Sequence, residues 1–161
     1  MAWYHSYALK RDFTQEEWGA YTTQHSPQDV VASYHGYAYN CCDVCLNPTQ
    51  VAQGESGGLN FTAYVFRAPN GRWGYQYSVQ AHTSGSYSGS SLAREETLYD
   101  TREEAVTMVL VKCRQRLQKY TRTSDAAQPG TTRNNANNVV ALSRQIDEQL
   151  YSIQHRQLTL F

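Results

Sequence analysis

The chain has 161 residues, 40% of them hydrophobic, and its 14 basic and 14 acidic side chains cancel to zero net charge. That length suits one domain with an appendage. The neutrality argues against bulk electrostatic capture of DNA, which needs uncompensated Lys or Arg. No basic start followed by an apolar run marks a signal peptide or membrane span, so a cytoplasmic protein is expected.

Residues 1 to 10 alternate weakly, with His5, Tyr7 and Leu9 on one side, as in a first strand. Thr14 and Glu17 have capping-box spacing and open a short helix through Trp18 and Tyr21. Ser26 as N-cap and Pro27 in the first turn predict a second helix. Its apolar face would hold Val30, Tyr34, Tyr37, Ala38, Cys41 and Cys45, and Asn47-Pro48 would stop it. The polar, glycine-rich stretch from Gln50 to Gly58 reads as a loop.

Residues 60 to 67 and 72 to 80 carry the clearest β pattern. Phe61, Ala63 and Val65 fall on one face of the first strand, and Trp73, Tyr75, Tyr77 and Val79 on one face of the second. Pro69-Asn70-Gly71 supplies the turn between them. Residues 83 to 91, mostly Ser and Gly around Tyr87, predict a mobile loop, and Glu95 to Tyr99 a third short strand.

Thr101 and Glu104 repeat the capping-box spacing and start the strongest helix. Its apolar face is Ala105, Val106, Val109, Leu110, Cys113, Leu117 and Tyr120. From Ser124 to Asn138 the composition shifts to Ser, Thr, Gln, Gly and Asn, predicting a linker spanning roughly 20 Å. Val139, Leu142, Ile146, Leu150 and Ile153 then recur at near-heptad spacing, as in an amphipathic helix. That helix either docks on the main domain or pairs with a second copy. Docking is favoured, because fewer than three heptads make a weak coil alone.

The expected fold is therefore α+β: a small antiparallel sheet packed by helices, with the hairpin at 60–80 and one or two further strands. Residues 1–123 would form the globular domain, 124–138 the linker, and 139–161 the helix with its terminal peptide. The 13 tyrosines suit a polar-edged core or a recognition surface of rigid amphipathic rings.

Cys42 and Cys45 form a Cys-x-x-Cys pair, a spacing that can bind zinc or shuttle electrons. Zinc wants four ligands, and no second pair follows; His35, His82 or Cys113 would have to be gathered by folding. The helical phase puts Cys41 and Cys45 on the apolar side, where cysteine packs as a small hydrophobe. The five histidines are scattered, the paired glutamates sit mostly at helix starts, no serine is read as a nucleophile, and no phosphate-binding loop is present. The chain reads as non-enzymatic, and no cofactor is expected.

The order hairpin, strand, capped helix resembles the second half of the double-stranded RNA-binding domain. That family's lysine cluster at the start of the last helix is replaced here by Arg102-Glu103-Glu104, which puts acidic charge where a phosphate would sit. The basic end of the helix, with Lys112, Arg114, Arg116, Lys119 and Arg122, remains a candidate nucleic-acid contact.

The last five residues, Gln157-Leu158-Thr159-Leu160-Phe161, set three large apolar groups behind a glutamine. They resemble the short bacterial motif that binds the β sliding clamp of DNA polymerase III, matching at every position. The resemblance implies that Gln157 anchors the peptide, that Leu158, Leu160 and Phe161 fill a hydrophobic groove, and that Thr159 occupies the tolerant position. Each apolar group could contribute about 1.5–3 kcal/mol on burial. Ordering costs offset much of that, so an isolated peptide would bind at roughly micromolar Kd at best.

The implied function is that of a non-enzymatic accessory of bacterial DNA replication or repair, of a kind a phage or plasmid can encode. One alternative is a mobile-element inhibitor of a defence nuclease, anti-CRISPR-like, acting by surface blockade. Another is a nucleic-acid module using the basic helix end. The plain alternative for the tail is that it packs back onto its own domain.

Overall fold

The computed structural model describes residues 2–81, 84–122 and 131–158. The strands are β1 (Tyr4–Ser6), β2 (Arg11–Phe13), β3 (Ala32–Tyr34), β4 (Tyr37–Tyr39), β5 (Thr49–Ser56), β6 (Leu59–Arg67), β7 (Trp73–Ala81) and β8 (Ser84–Gly89). The helices are α1 (Gln15–Gln24), α2 (Arg102–Arg122) and α3 (Thr131–Leu158). Strands β5-β6-β7-β8 form one antiparallel sheet in chain order, while β1-β2 and β3-β4 are separate two-stranded pieces. The fold is α+β, as the alternation and the capped helices predict.

The sheet has two unlike faces because its side chains alternate. Phe61, Ala63 and Val65 of β6 lie opposite Val79, Tyr77 and Tyr75 of β7 on the inner face. Against that face α2 sets Ala105, Val109, Leu110, Cys113 and Leu117, and α3 sets Val139, Leu142 and Ile146; all are buried. The two helices run antiparallel, since Gln118 and Val139 line one trough between them and Val106 and Ile153 line another at the far end. Both apolar stripes read from the sequence therefore face the sheet, and α3 docks on the domain.

A second core joins the N-terminal segments to the far side of the sheet, through Ala8, Tyr39, Cys45, Phe66, Ala68, Leu92 and Leu98. Asp43 ties this layer together. At φ +62° it accepts hydrogen bonds from the Tyr4 hydroxyl (2.7 Å), the Ser6 hydroxyl (3.0 Å) and the N–H groups of Tyr7 (3.1 Å) and Ala8 (2.9 Å). Burial first, then the bond to Asp43, pushes the Tyr4 phenol well above its usual range.

Five expectations are corrected. The helix expected from Ser26 is absent; β3 and β4 form a hairpin whose two-residue turn is His35-Gly36, both at positive φ (54° and 86°). Such a turn matches the twist of paired strands, and the tyrosines at 34, 37 and 39 suit strand faces. The loop expected over Gln50 to Gly58 is mostly β5, turned into β6 by Gly57-Gly58 at φ 54° and 87°. Its polar residues Gln50, Gln53 and Glu55 are exposed while Ala52 is buried, so polarity marked a solvated strand face.

Residues 84–89 of the expected Ser/Gly loop are β8, paired along β7. The expected strand at 95–99 is a 3-10 turn, Glu95–Thr97, and only Tyr99 bridges to Trp73. Finally, α3 begins at Thr131, so residues 131–138 of the expected linker are helical, while 123–130 lie outside the described residues. Asn138 accounts for part of this early start. It accepts from the Ser56 hydroxyl (2.8 Å) and donates to the Gly57 carbonyl (3.4 Å), so tertiary contact outweighs weak helix propensity.

Candidate functional site at the end of the last helix

Gln157 and Leu158 close the final turn of α3. Leu158 is 72% exposed. Thr159, Leu160 and Phe161 lie outside the described residues, as does the side chain of Gln157. The helix that carries this end is fixed upstream, where Leu150 and Ile153 pack against the main core. A trough of about 750 Å³ opens beside the end of α3. Val51 of β5, Arg102 and Val106 of α2, and Ile153 and Arg156 of α3 all line it.

Helical geometry limits what this end can do while wound. Successive side chains rotate by about 100°, so Leu158 and Phe161 would share a side of a continuing helix while Leu160 would point away from Leu158. All three can enter one groove only from an unwound tail. Helix ends fray at low cost, because their last carbonyls have no intrahelical partner.

The basic set at the end of α2 does not form one strip. Arg114 is ion-paired with Asp147 of α3. Arg116 donates from Nε to the Ser86 hydroxyl of β8 at 2.9 Å. Lys112, Arg116 and Lys119 share a helix face by their spacing, with Arg114 turned from it. Arg122 is the last residue of α2, and its side chain is outside the described residues. At the other end, the Glu104 carboxylate accepts from the Thr101 N–H (3.1 Å) while the Thr101 hydroxyl accepts from the Glu104 N–H (3.2 Å). That cap keeps acidic charge at the start of α2, the place where a phosphate would otherwise bind.

Cys45 is buried and its thiol is pushed up to about 11 by that burial. Cys42 is exposed, and its Sγ lies 3.8 Å from that of buried Cys41. Burial also raises the Cys41 thiol, and drives Cys113, inside the main core, up to about 12. Thiols held protonated in this way are weak nucleophiles and weak metal ligands. Cys41 and Cys45 do face the interior, but a tight loop places them there and not a helix phase: the Asn40 side chain accepts from the N–H groups of Cys42 and Val44, both at 2.9 Å. Among the described residues, no group of three or more His, Cys, Asp or Glu is placed to hold a metal ion. No helix among them is long and apolar enough to cross a membrane.

Two features escaped the sequence reading. One is the four-bond hub at Asp43, which no local pattern announces. The other is the outer flank of α3, where Val140 and Tyr151 stand 59% and 62% exposed. Helical phase could have found it, since both fall off the buried stripe. No family model matches the chain, and neither the curated proteins nor the solved structures yield a match.

Proposed function

We propose that this protein is a non-enzymatic accessory of bacterial DNA replication or repair, recruited to the β sliding clamp through Gln157 to Phe161. The reading makes it cytoplasmic, where the clamp works. The observation that carries it is the five-position match to the clamp-binding motif, on a helix end where Leu158 stands 72% exposed. Docking proceeds by unwinding the last turn of α3, so that Leu158, Leu160 and Phe161 reach one apolar groove while Gln157 holds the rim by its amide. The rest of α3 stays on the sheet, held by Val139, Leu142 and Ile146. The globular part would thereby be tethered at the clamp, where its local concentration near DNA-bound partners rises.

A pull-down with purified β clamp tests this, comparing the full chain with one lacking Gln157 to Phe161. Retention of the full chain and loss of the shortened one is the expected result. Equal retention of both rejects the assignment.

A further inference from the structure

We propose that the outer flank of α3 is the interface of a two-fold symmetric dimer of this chain. Among the described residues, three of the eight exposed large hydrophobic side chains fall on this one helix: Val140, Tyr151 and Leu158. Val140 and Tyr151 stand at the two ends of a shallow solvent-facing trough of about 730 Å³ between α2 and α3, which Arg144, Asp147 and Glu148 also line. The inner stripe of α3 is already consumed by the core, so this flank is a separate surface.

The occupant follows from the order of residues along the flank. A two-fold axis crossing α3 between residues 145 and 146 pairs each position with the one equally far on the other side. Val140 then meets Tyr151 of the second copy, and Arg144 meets Asp147, with Glu148 one residue further. Apolar meets apolar and cation meets carboxylate, twice over, as an isologous contact requires. Arg144 makes no ion pair with another described residue. Asp147 is 55% exposed despite its bond to Arg114, which leaves a carboxylate edge for a second cation. The Tyr151 ring is held against His155, with centroids 4.0 Å apart, so little side-chain freedom remains to be lost on docking. In the resulting four-helix layer, α2 and α3 of one copy face the same pair of the other. The two Leu158 residues lie at opposite ends, roughly 40 Å apart by helix rise. The inference is independent of clamp binding.

Sedimentation equilibrium of the full chain tests it. The wild type should weigh twice 18.3 kDa at about 0.1 mM, well above a micromolar Kd. Val140→Glu with Tyr151→Glu changes only exposed positions and should give 18.3 kDa with an unchanged circular dichroism spectrum. Arg144→Asp alone should weaken the dimer at least about tenfold by facing Asp147 with a like charge. Mixing Arg144→Asp with an Asp147→Arg chain should restore it, since every cross-pair is again opposite in sign. A monomeric wild type overturns the proposal, as does a Glu-substituted chain that stays dimeric. Failure of two folded charge variants to recover on mixing overturns the two-fold pairing.

Discussion

Asp43 holds four donors from the first strand and the turn after it, and among the described residues the Tyr7 and Ala8 N–H groups have no other acceptor. Replacing it with alanine orphans that set, and a loss of about 3 kcal/mol in urea unfolding is expected. Asparagine tolerates the φ of +62° and keeps one acceptor oxygen, so Asp43→Asn should cost about half as much. Gly54 makes a different demand. A Cβ there would lie 2.6 Å from the Phe61 ring and 3.1 Å from Leu142, where β5 meets α3. Gly54→Ala should therefore destabilise by about 1–3 kcal/mol through overpacking, measured the same way. Cys113 contributes to the pH dependence of stability. Its thiol titrates at 9 ordinarily and at about 12 in the fold, because it is buried. Between those values the folded chain keeps a proton on Cys113 that the unfolded chain releases, so this group's contribution to stability is fully present below about 9 and is lost as pH rises. Cys113→Val should flatten the decline in urea midpoint across that alkaline range, where the wild type falls more steeply.

At the scale of elements, the legible parts were those whose pattern and local chemistry agree. The hairpin β6-β7 combined strict alternation with Asn70-Gly71, and α1 and α2 each carried a capping box that is formed as read. The apolar stripes of α2 and α3 named their buried faces almost residue by residue. Illegible parts were those where tertiary contact decides. Strands β5 and β8 present mostly Gln, Ser and Gly, and only pairing with β6 and β7 orders them. The apolar spacing from Val30 to Cys45 fits a helix, yet His35-Gly36 turns the chain instead. Of the candidate site, the sequence supplied the peptide but not the winding of Gln157 and Leu158 into α3. That winding makes a prediction of its own. Clamp binding should reduce amide-exchange protection over the last turn, residues 154–158, and leave Val139 to Ile146 unchanged. Protection that rises along the whole helix end would mean it docks wound.

For the whole molecule, the sheet's inner face is closed by two helices, and part of its outer face by the N-terminal layer. Among the surfaces left open to other molecules are the end of α3 and its outer flank. The first offers a glutamine-led apolar peptide, the second a self-complementary strip, and a dimer built on that strip would carry its two peptides at opposite ends. Such an arrangement lets two weak contacts act together wherever the grooves on a ring lie within reach. The claim that governs the rest is recruitment by the tail, and a titration of the β clamp with labelled full-length chain bears on it most directly. Binding at roughly micromolar Kd is expected for the wild type, and a loss of at least about a hundredfold for Leu160→Ala with Phe161→Ala. An affinity unchanged by that double substitution, or no binding by the wild type at all, would contradict it.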